Sequence, residues 1–441
     1  MKKLSLFFVA ISGMLTLCLS SCGDDPITQP DNQSDTVKGP ITASVTWTAG
    51  KKYFIKDFVY VESGATLTIQ AGTIIKGLNK GTLIIKPGGK LIAKGTATSP
   101  IVFTSAKAKG ARNPGDWGGI IILGNAPVNK VRPVIEGENV SIFGGTDAAD
   151  NSGEISYVRI EFSGIPFEPN REINGLTMGG VGSGTKIDHV QVSFNGDDSF
   201  EWFGGTVNAT HLVSYRALDD DFDTDNGFNG KVQYGLILRD PEVADAAGDS
   251  NMFESDNDAT GSDATPQTSA AFANVSGFLA DGTRSDFYRS AARIRRNSAI
   301  SIYNSVFVGN FKNGLELATK ATTDVGATTS ADNFVAGKSN YAGIVIAGVP
   351  TTTTITSGVN AARFDDAARR NDRTTTVANL GLAAGYNSLA ARPAMIPSGA
   401  FLKSGGATLP AGFTATTFRG AFNDTDWTTG WTNFDPKNTD Y

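Results

Sequence analysis

The sequence predicts an all-β chain wound as a parallel β-helix, and three observations predict it. The stretch from Ile187 to Gly230 states one pattern twice: His189, Asp197, Asp198 and Phe200 return as His211, Asp219, Asp220 and Phe222, all at one constant spacing. A fixed short period marks a repeat architecture in which each unit stacks on the last. A second repeat of similar length lies upstream, where the Leu67 run Ser63–Ile69 returns as the Leu91 run Pro87–Ala93. Finally, the chain holds 51 glycines, and its apolar runs are short and broken by glycine. That suits short strands joined by tight turns and excludes long amphipathic helices.

The N-terminal segment Met1–Ser21 combines Lys2 and Lys3 with an apolar run from Leu4 to Leu19, then Ser20 and Ser21, and Cys22 follows it. This is a secretory leader, too short to cross a membrane as a mature helix. The Leu19–Cys22 ending resembles a bacterial lipobox, which implies cleavage before Cys22 and its acylation, with the lipid bilayer as partner. Several acyl chains anchor stably where one would be marginal. Cys18 falls inside the leader, so the mature chain keeps one cysteine and has no internal disulfide. Gly23-Asp24-Asp25 resembles the export signal of surface lipoproteins, implying display on the outer membrane surface in preference to the periplasmic face. The formal charge of −6 becomes −8 when the leader's two lysines are removed, so nucleic acid is not an expected partner. The chain is expected to act as a monomer.

The segment 22–41 reads as the acylated cysteine and a polar, proline-containing tether. The segment 42–318 reads as the β-helix. Val45–Tyr60 supplies the first strands, and the two repeats of the Leu67 type follow. Gly115–Leu123 opens a further coil, with Asn125–Arg132 and Gly144–Gly153 as excursions. In Ile155–Gly164 the alternation places Val158, Ile160 and Phe162 inward and Arg159 and Glu161 outward. Val190, Val192 and Phe194 repeat that face after one coil and an insertion around Pro166–Asn174. Ser214 and Arg216 fall on the inward phase of the next copy, which predicts a one-residue slip there. Val232–Arg239, Val275–Leu279 and Ile300–Val308 continue the stack, and Gly314–Leu317 reads as its last turn. The result is about ten coils, or roughly 50 Å. The segment 319–441 loses the period and reads as an irregular C-terminal cap, with one short helix at Asn360–Asn371 and an aromatic group of Phe418, Phe422, Trp427, Trp431 and Phe434.

The segments SGATLTI, GTIIKG, PGGKLIAKGT, PIVFTS, GDWGGIIILGNAPVN, GDDSFEWFGGTVNA, DDDFDTDNGFNG and DWTTGWTNFDP resemble a group of Bacteroidetes lipoproteins of the pectin-lyase-like class, over most of Val45–Tyr441. The resemblance implies a right-handed parallel β-helix and a cell-envelope location, and implies no particular activity. The wider class includes pectate lyases and polygalacturonases, so acidic polysaccharide is one implied substrate class.

The repeated stretch concentrates Asp197, Asp198, Glu201, Asp219, Asp220, Asp221, Asp223 and Asp225, with Glu254, Asp256 and Asp258 further on. Stacked carboxylates about 5 Å apart repel unless a cation binds, a proton is shared or the groups splay into water. Hard oxygen donors in turns suit Ca²⁺, and the expected ligands are Asp197, Asp219, Asp221, Asp223 and Asp225. The Asp221-x-Asp223-x-Asp225 run lacks the glycine position, the closing Glu and the flanking helices of an EF-hand. Solvated turn acids are the competing reading. For catalysis the candidates are Asp197, Asp198, Asp220 and Arg293. Asn195–Asp198 and Arg293-Ile294-Arg295 resemble polygalacturonase motifs, but the family's Gly-His-Gly is missing around both histidines. His189 and His211 stack at one coil position, where a hydrogen-bonded ladder outweighs a metal site. The arginines at 289, 293, 295 and 296 are expected to pair with the acids. These readings lead to a lipid-anchored surface β-helix that binds glycan or an envelope component and carries a Ca²⁺-binding acidic ridge. Alternatives are a polysaccharide lyase or glycoside hydrolase, and a structural adhesin.

Overall fold

The computed structural model describes residues 34–168 and 171–441. The leader, Cys22, the residues that follow it up to Gln33, and the centre of the Pro166–Asn174 insertion lie outside the described residues. No described helix is long and apolar enough to cross a membrane.

Parallel strands stack into three faces, connected into one continuous sheet system. On the first face Ile101, Val158, Val190, Leu212, Gly235 and Val275 succeed one another in register. On the second, Leu176, Phe200, Phe222, Phe253, Ala292 and Leu315 occupy one column. On the third, Ala93, Ile155, Ile187, Ala209, Val232, Phe272, Ile302 and Tyr341 do the same. All of these side chains but the glycine point into the coil interior, and the two later columns are buried throughout. The interior is partly aromatic: Phe200 stands over Phe222 at 5.7 Å, and Trp202 stacks on Phe228 at 5.3 Å.

From Ile155 onward, six successive coils pass from the third face to the first through a single residue with positive φ, namely Tyr157, His189, His211, Tyr234, Asn274 and Asn304. Because that residue turns outside the alternation, the strands on either side keep their own phase. No slip therefore occurs at 214: Val190 pairs with Leu212 and Val192 with Ser214. Ser214 is an inward residue, fully buried and hydrogen-bonded to Ser199 and Asp221.

Four expectations are corrected. The tether is shorter than expected, because Ser34–Ile41 is a strand paired in parallel with Lys52–Val61; its backbone groups are satisfied by the next coil whatever its polar side chains prefer. The stack does not end at residue 317, since Tyr341–Ala342 and Val345–Ala347 add rungs to 302–303 and 306–308. The helix expected at 360–371 is only Ala361–Phe364 followed by a 3₁₀ turn at Ala367–Arg369, interrupted by Asp366 acting as a cap. A further helix, Ser330–Val335, begins at a Thr329–Asp332 capping box; that signal stands in the sequence.

The fourth concerns the C-terminal region, of which only the first part closes the end of the stack: Phe334, Val359 and Phe364 join the coil-interior core and Ile355 bridges to Leu315, while the remainder does not. It runs back along the first face as a strap, from Ala407 beside Asn304 to Tyr441 beside Glu161 and Lys76. The cause is the outward side of that face, where Val213, Tyr215, Leu236, Leu238, Phe278 and Val306 are apolar and pack under Leu402, Phe422 and Trp431 of the strap. Strands apolar on both sides need cover on both sides. Amide side chains fasten the strap's backbone: Gln191 binds Asn433 at both N–H and C=O, Gln233 does the same to Thr414, and Asn304 to Ala407. Glu161 points outward as its alternation requires, yet it is buried beneath Tyr441 and Arg159.

Candidate functional site: an acidic groove

The second face has a divided outer side. Over its early coils Ile84, Ile121 and Leu123 are apolar and are covered by Ile135 and Phe143 from the excursion that follows Leu123 and by Ile173 from the Pro166–Asn174 insertion. Further along, the outward column becomes Thr177, Glu201, Asp223, Glu254, Arg293 and Glu316. The excursions stop where the acids begin, and their edges, at Ile135, Glu136, Pro166, Glu172 and Asn174, wall a groove of about 780 Å³. Its floor includes Asp197, Asp198, Glu201, Asp219, Asp220, Asp223 and Asp225, and Arg295 and Arg296 lie at its far end.

Asp197-Asp198 and Asp219-Asp220 occupy the turn between the first and second faces, so adjacent acids are not forced to opposite sides as they would be on a strand. The second of each pair belongs to a ladder. The N–H of Asp198 donates to Asn174 Oδ1 at 3.3 Å, that of Asp220 to Asp198 Oδ1 at 2.7 Å, that of Asn251 to Asp220, and that of Ser290 to Asn251 Oδ1 at 3.1 Å. Asp198 and Asp220 thus hold consecutive coils together while also lining the groove.

Two sets of three acids each bring one carboxylate oxygen within 4.8 Å of the others: Asp197, Asp198 and Asp219, and then Asp198, Glu201 and Asp223. Asp219 Oδ1 and Asp223 Oδ1 are buried atoms without a hydrogen-bond donor. Withdrawal from water, followed by like charge, pushes Asp197, Asp198, Glu201 and Asp220 well above the ordinary carboxylate range. The same two causes push Asp219 and Asp223 up to about 7, and burial with Asp256 pushes Asp225 up to about 7. Glu254 is pushed up to about 8 by burial, against the opposing charge of Arg295. Such carboxylates gain from any cation that enters, and an all-oxygen set at this spacing fits Ca²⁺ or a similar hard ion.

The structure redistributes the expected ligands. Asp197, Asp219, Asp223 and Asp225 line the groove, but Asp221 does not. It precedes the strand Phe222–Asp225, is wholly buried, and pairs with the equally buried Arg239 at 2.9 Å. Asp198 and Glu201 take its place in the convergent sets, a result that depends on how the turn folds. Asp258 caps its own loop through Thr260 and Ser262. Of the catalytic candidates, Asp197, Asp198 and Asp220 converge, whereas Arg293 is not among the groove-lining residues and sits among Glu254 at 3.5 Å, Asp249 at 3.8 Å and Glu316 at 4.0 Å. Arg295 and Arg296 bind opposite oxygens of Asp256 at 2.8 and 2.6 Å, and Arg289 binds Glu316 and Asp249. The arginines thus neutralise the acids of the later coils, and among the described residues no ion pair reaches Asp197, Asp198, Glu201, Asp219 or Asp223.

His189 and His211 stack with ring centroids 4.2 Å apart, between Tyr157 and Tyr234. Nδ1 of each lies 2.8 Å from a different oxygen of Asp188. Burial works against the Asp188 anion, yet hydrogen bonds from His189, His211 and Thr210 hold its carboxyl well below the usual range. One ligand atom from each of Asp188, His189 and His211 lies within 4.8 Å of the others, while the rings lie at 20° to each other and both Nδ1 atoms face the Asp188 carboxylate, an arrangement that suits a hydrogen-bonded ladder.

With the three-faced stack and the groove described, comparison with known proteins adds one match. The family described as a pectate-lyase-like β-helix domain matches residues 39–432. The chain belongs to this family. No curated protein and no solved structure matches it. Membership accords with the three-faced right-handed coil and ties it to a domain class named for a polysaccharide-cleaving enzyme.

Proposed function

We propose that the chain is a lipid-anchored cell-surface protein that binds a glycan or another envelope component along its β-helix, with Ca²⁺ held in the acidic groove. The observation that carries this reading is the convergence of Asp197, Asp198, Glu201, Asp219 and Asp223, with no ion pair to any of them among the described residues, in a groove long enough to follow several coils. An anionic groove repels anionic polymers, and a bound divalent ion reverses that relation by offering coordination positions to a ligand's carboxylate or hydroxyl oxygens. The lipid anchor rests on the Leu19–Cys22 sequence.

Calorimetric titration of the folded protein with CaCl₂, followed by glycan-array binding with Ca²⁺ and with chelator, tests the reading. Saturable heat and Ca²⁺-dependent glycan retention are expected; absence of both removes it.

A second reading, polysaccharide cleavage, is favoured by one feature. The groove sets several carboxyls side by side with their affinity for protons pushed up by burial and like charge, and a general acid for a glycosidic bond needs such a carboxyl. Product release from pectate or alginate that is lost in Asp198→Asn would establish it. Binding without release over a full panel leaves the first reading.

A further inference from the structure

The charge of the chain is divided along its axis. The first coils, 34–110, hold eleven lysines, no arginine and three acids, a net charge of +8; the remainder, 111–441, holds 25 lysines and arginines against 38 acids, a net charge of −13. Register shows where the lysines fall. Val37 pairs with Ile55 and Gly39 with Val59, so Lys38 lies opposite the Lys56 turn. Ile55 pairs with Gly77 and Phe58 with Thr82, which sets Lys80 in the same turn one coil later. Gly77 pairs with Ser105 and Leu83 with Ile120, adding Lys107 and Lys109.

These five lysines form one column at the corner between the first and second faces. The same corner, further along the axis, carries Asp197-Asp198 and Asp219-Asp220. All five are exposed. Lys107 and Lys109 pair with Asp116 and Asp440, and Lys80 lies 5.4 Å over the ring of Phe167. Lys38, Lys56 and Lys80 make no ion pair among the described residues. Asp57 stands beside Lys56 in the same turn, so the unpaired lysines leave a net positive column; like charges spaced by about 5 Å repel one another and cost stability unless an opposing surface relieves them.

We infer that this column docks the first coils onto the anionic headgroups of the bilayer to which the chain is tethered. The inference rests on the acylation of Cys22. The segment from Cys22 to Ser34 has a contour of at most about 40 Å, so the lysine coils are the part of the fold closest to the anchor along the chain. Compact, strongly hydrated ammonium groups suit a surface of many mobile anions better than one shaped ligand. The docking holds the basic coils against the membrane and sets the acidic groove, which shares the corner but begins coils later, away from the negative surface that would repel it.

The test uses the mature chain from residue 22 to residue 441, produced without the leader and carrying Cys22→Ser so that it cannot be acylated, with vesicles of phosphatidylcholine alone or with phosphatidylglycerol added. Sedimentation with the anionic vesicles only, abolished by high salt, is expected. The triple variant Lys38→Glu, Lys56→Glu, Lys80→Glu should bind at least about tenfold more weakly. Lys56→Glu alone should cost more than Lys90→Glu, which makes the same charge change at another corner. No sedimentation, equal losses in Lys56→Glu and Lys90→Glu, or preferential retention on a soluble anionic polysaccharide would each overturn the inference. Mass analysis of Cys22 in membrane-derived protein tests the anchor separately. Acylation without vesicle binding defeats the lysine column alone, and vesicle binding without acylation defeats the anchor alone.

Discussion

The first and second faces are built from the same coils and differ in what covers them. Outward from the first face stand Val213, Leu236 and Phe278, and a strap of the same chain shields them and supplies backbone partners to Gln191, Gln233 and Asn304. Outward from the second stand Glu201, Asp223 and Glu254, which line the groove with only Asn174 reaching Glu201 and the arginines Arg293 and Arg295 reaching Glu254. One face has reached its most stable state within the chain. The other keeps carboxylates close together at a cost in stability, which is the usual character of a site that waits for a ligand.

The contrast sets opposite signs for substitutions on the two faces. The largest effect is expected from Trp431→Ala on the strap. This fully buried indole packs against the first face and meets Tyr157 edge-on at 6.0 Å; its truncation should cost about 3–5 kcal/mol in denaturant unfolding. A similar loss, about 3–5 kcal/mol, should follow Arg239→Met, which strands the buried Asp221 carboxylate; the double variant with Asp221→Leu should recover much of it, and failure to recover would show that the pair does more than neutralise itself. On the groove face, Asp223→Asn should leave the metal-free protein as stable or more stable by about 1 kcal/mol while weakening its response to Ca²⁺. A loss comparable to that of Trp431→Ala would erase the distinction between the faces.

The pH dependence follows from the same groups. Asp219, Asp223 and Asp225 are pushed up to about 7 in the folded state, above the ordinary unfolded value near 4. Between those values the folded chain binds more protons than the unfolded one, so stability falls as pH rises from about 4 to about 7 and is level beyond. In chelator, the melting temperature should therefore rise on acidification from pH 8 to pH 5. Added Ca²⁺ should raise it at pH 8 and do little at pH 5, and a Ca²⁺ shift independent of pH would place the ion elsewhere. On the strap, Gln191→Ala removes both fastenings to Asn433 and should cost about 1–2 kcal/mol, well below the Trp431→Ala loss and read out by faster proteolysis of the strap.

Much of this contrast was legible in the chain. The return of His189 as His211 established the coil, and the crowding of Asp197, Asp198, Asp219 and Asp220 marked the groove, because register carries equal sequence positions to equal places in space. The strap was less legible, although its signal was present: Leu236-Ile237-Leu238 and Phe278-Leu279-Ala280 are apolar in both phases, and such strands cannot face water on either side. The choice among the acids was not legible. Asp221, Asp223 and Asp225 alternate as equal members of one strand pattern, and only the coil's corner, with Arg239 on the following coil 2.9 Å away in space, turns Asp221 inward. Asp198 and Glu201 enter the convergent sets for the corresponding reason: the turn after the first face brings Asp198 toward the outward side of the next strand.

By itself, the sequence determined the solenoid, its period, the interior columns and the band of acid. Those features depend on repetition and alternation, which are properties of neighbours along the chain. Only the tertiary structure decided that the C-terminal region lies lengthwise over the first face, that the arginines neutralise the later acids and leave the earlier ones, and that lysines and aspartates divide a single corner between them. These depend on which surfaces remain uncovered after the coils have stacked, and that is settled by packing between segments far apart in the chain.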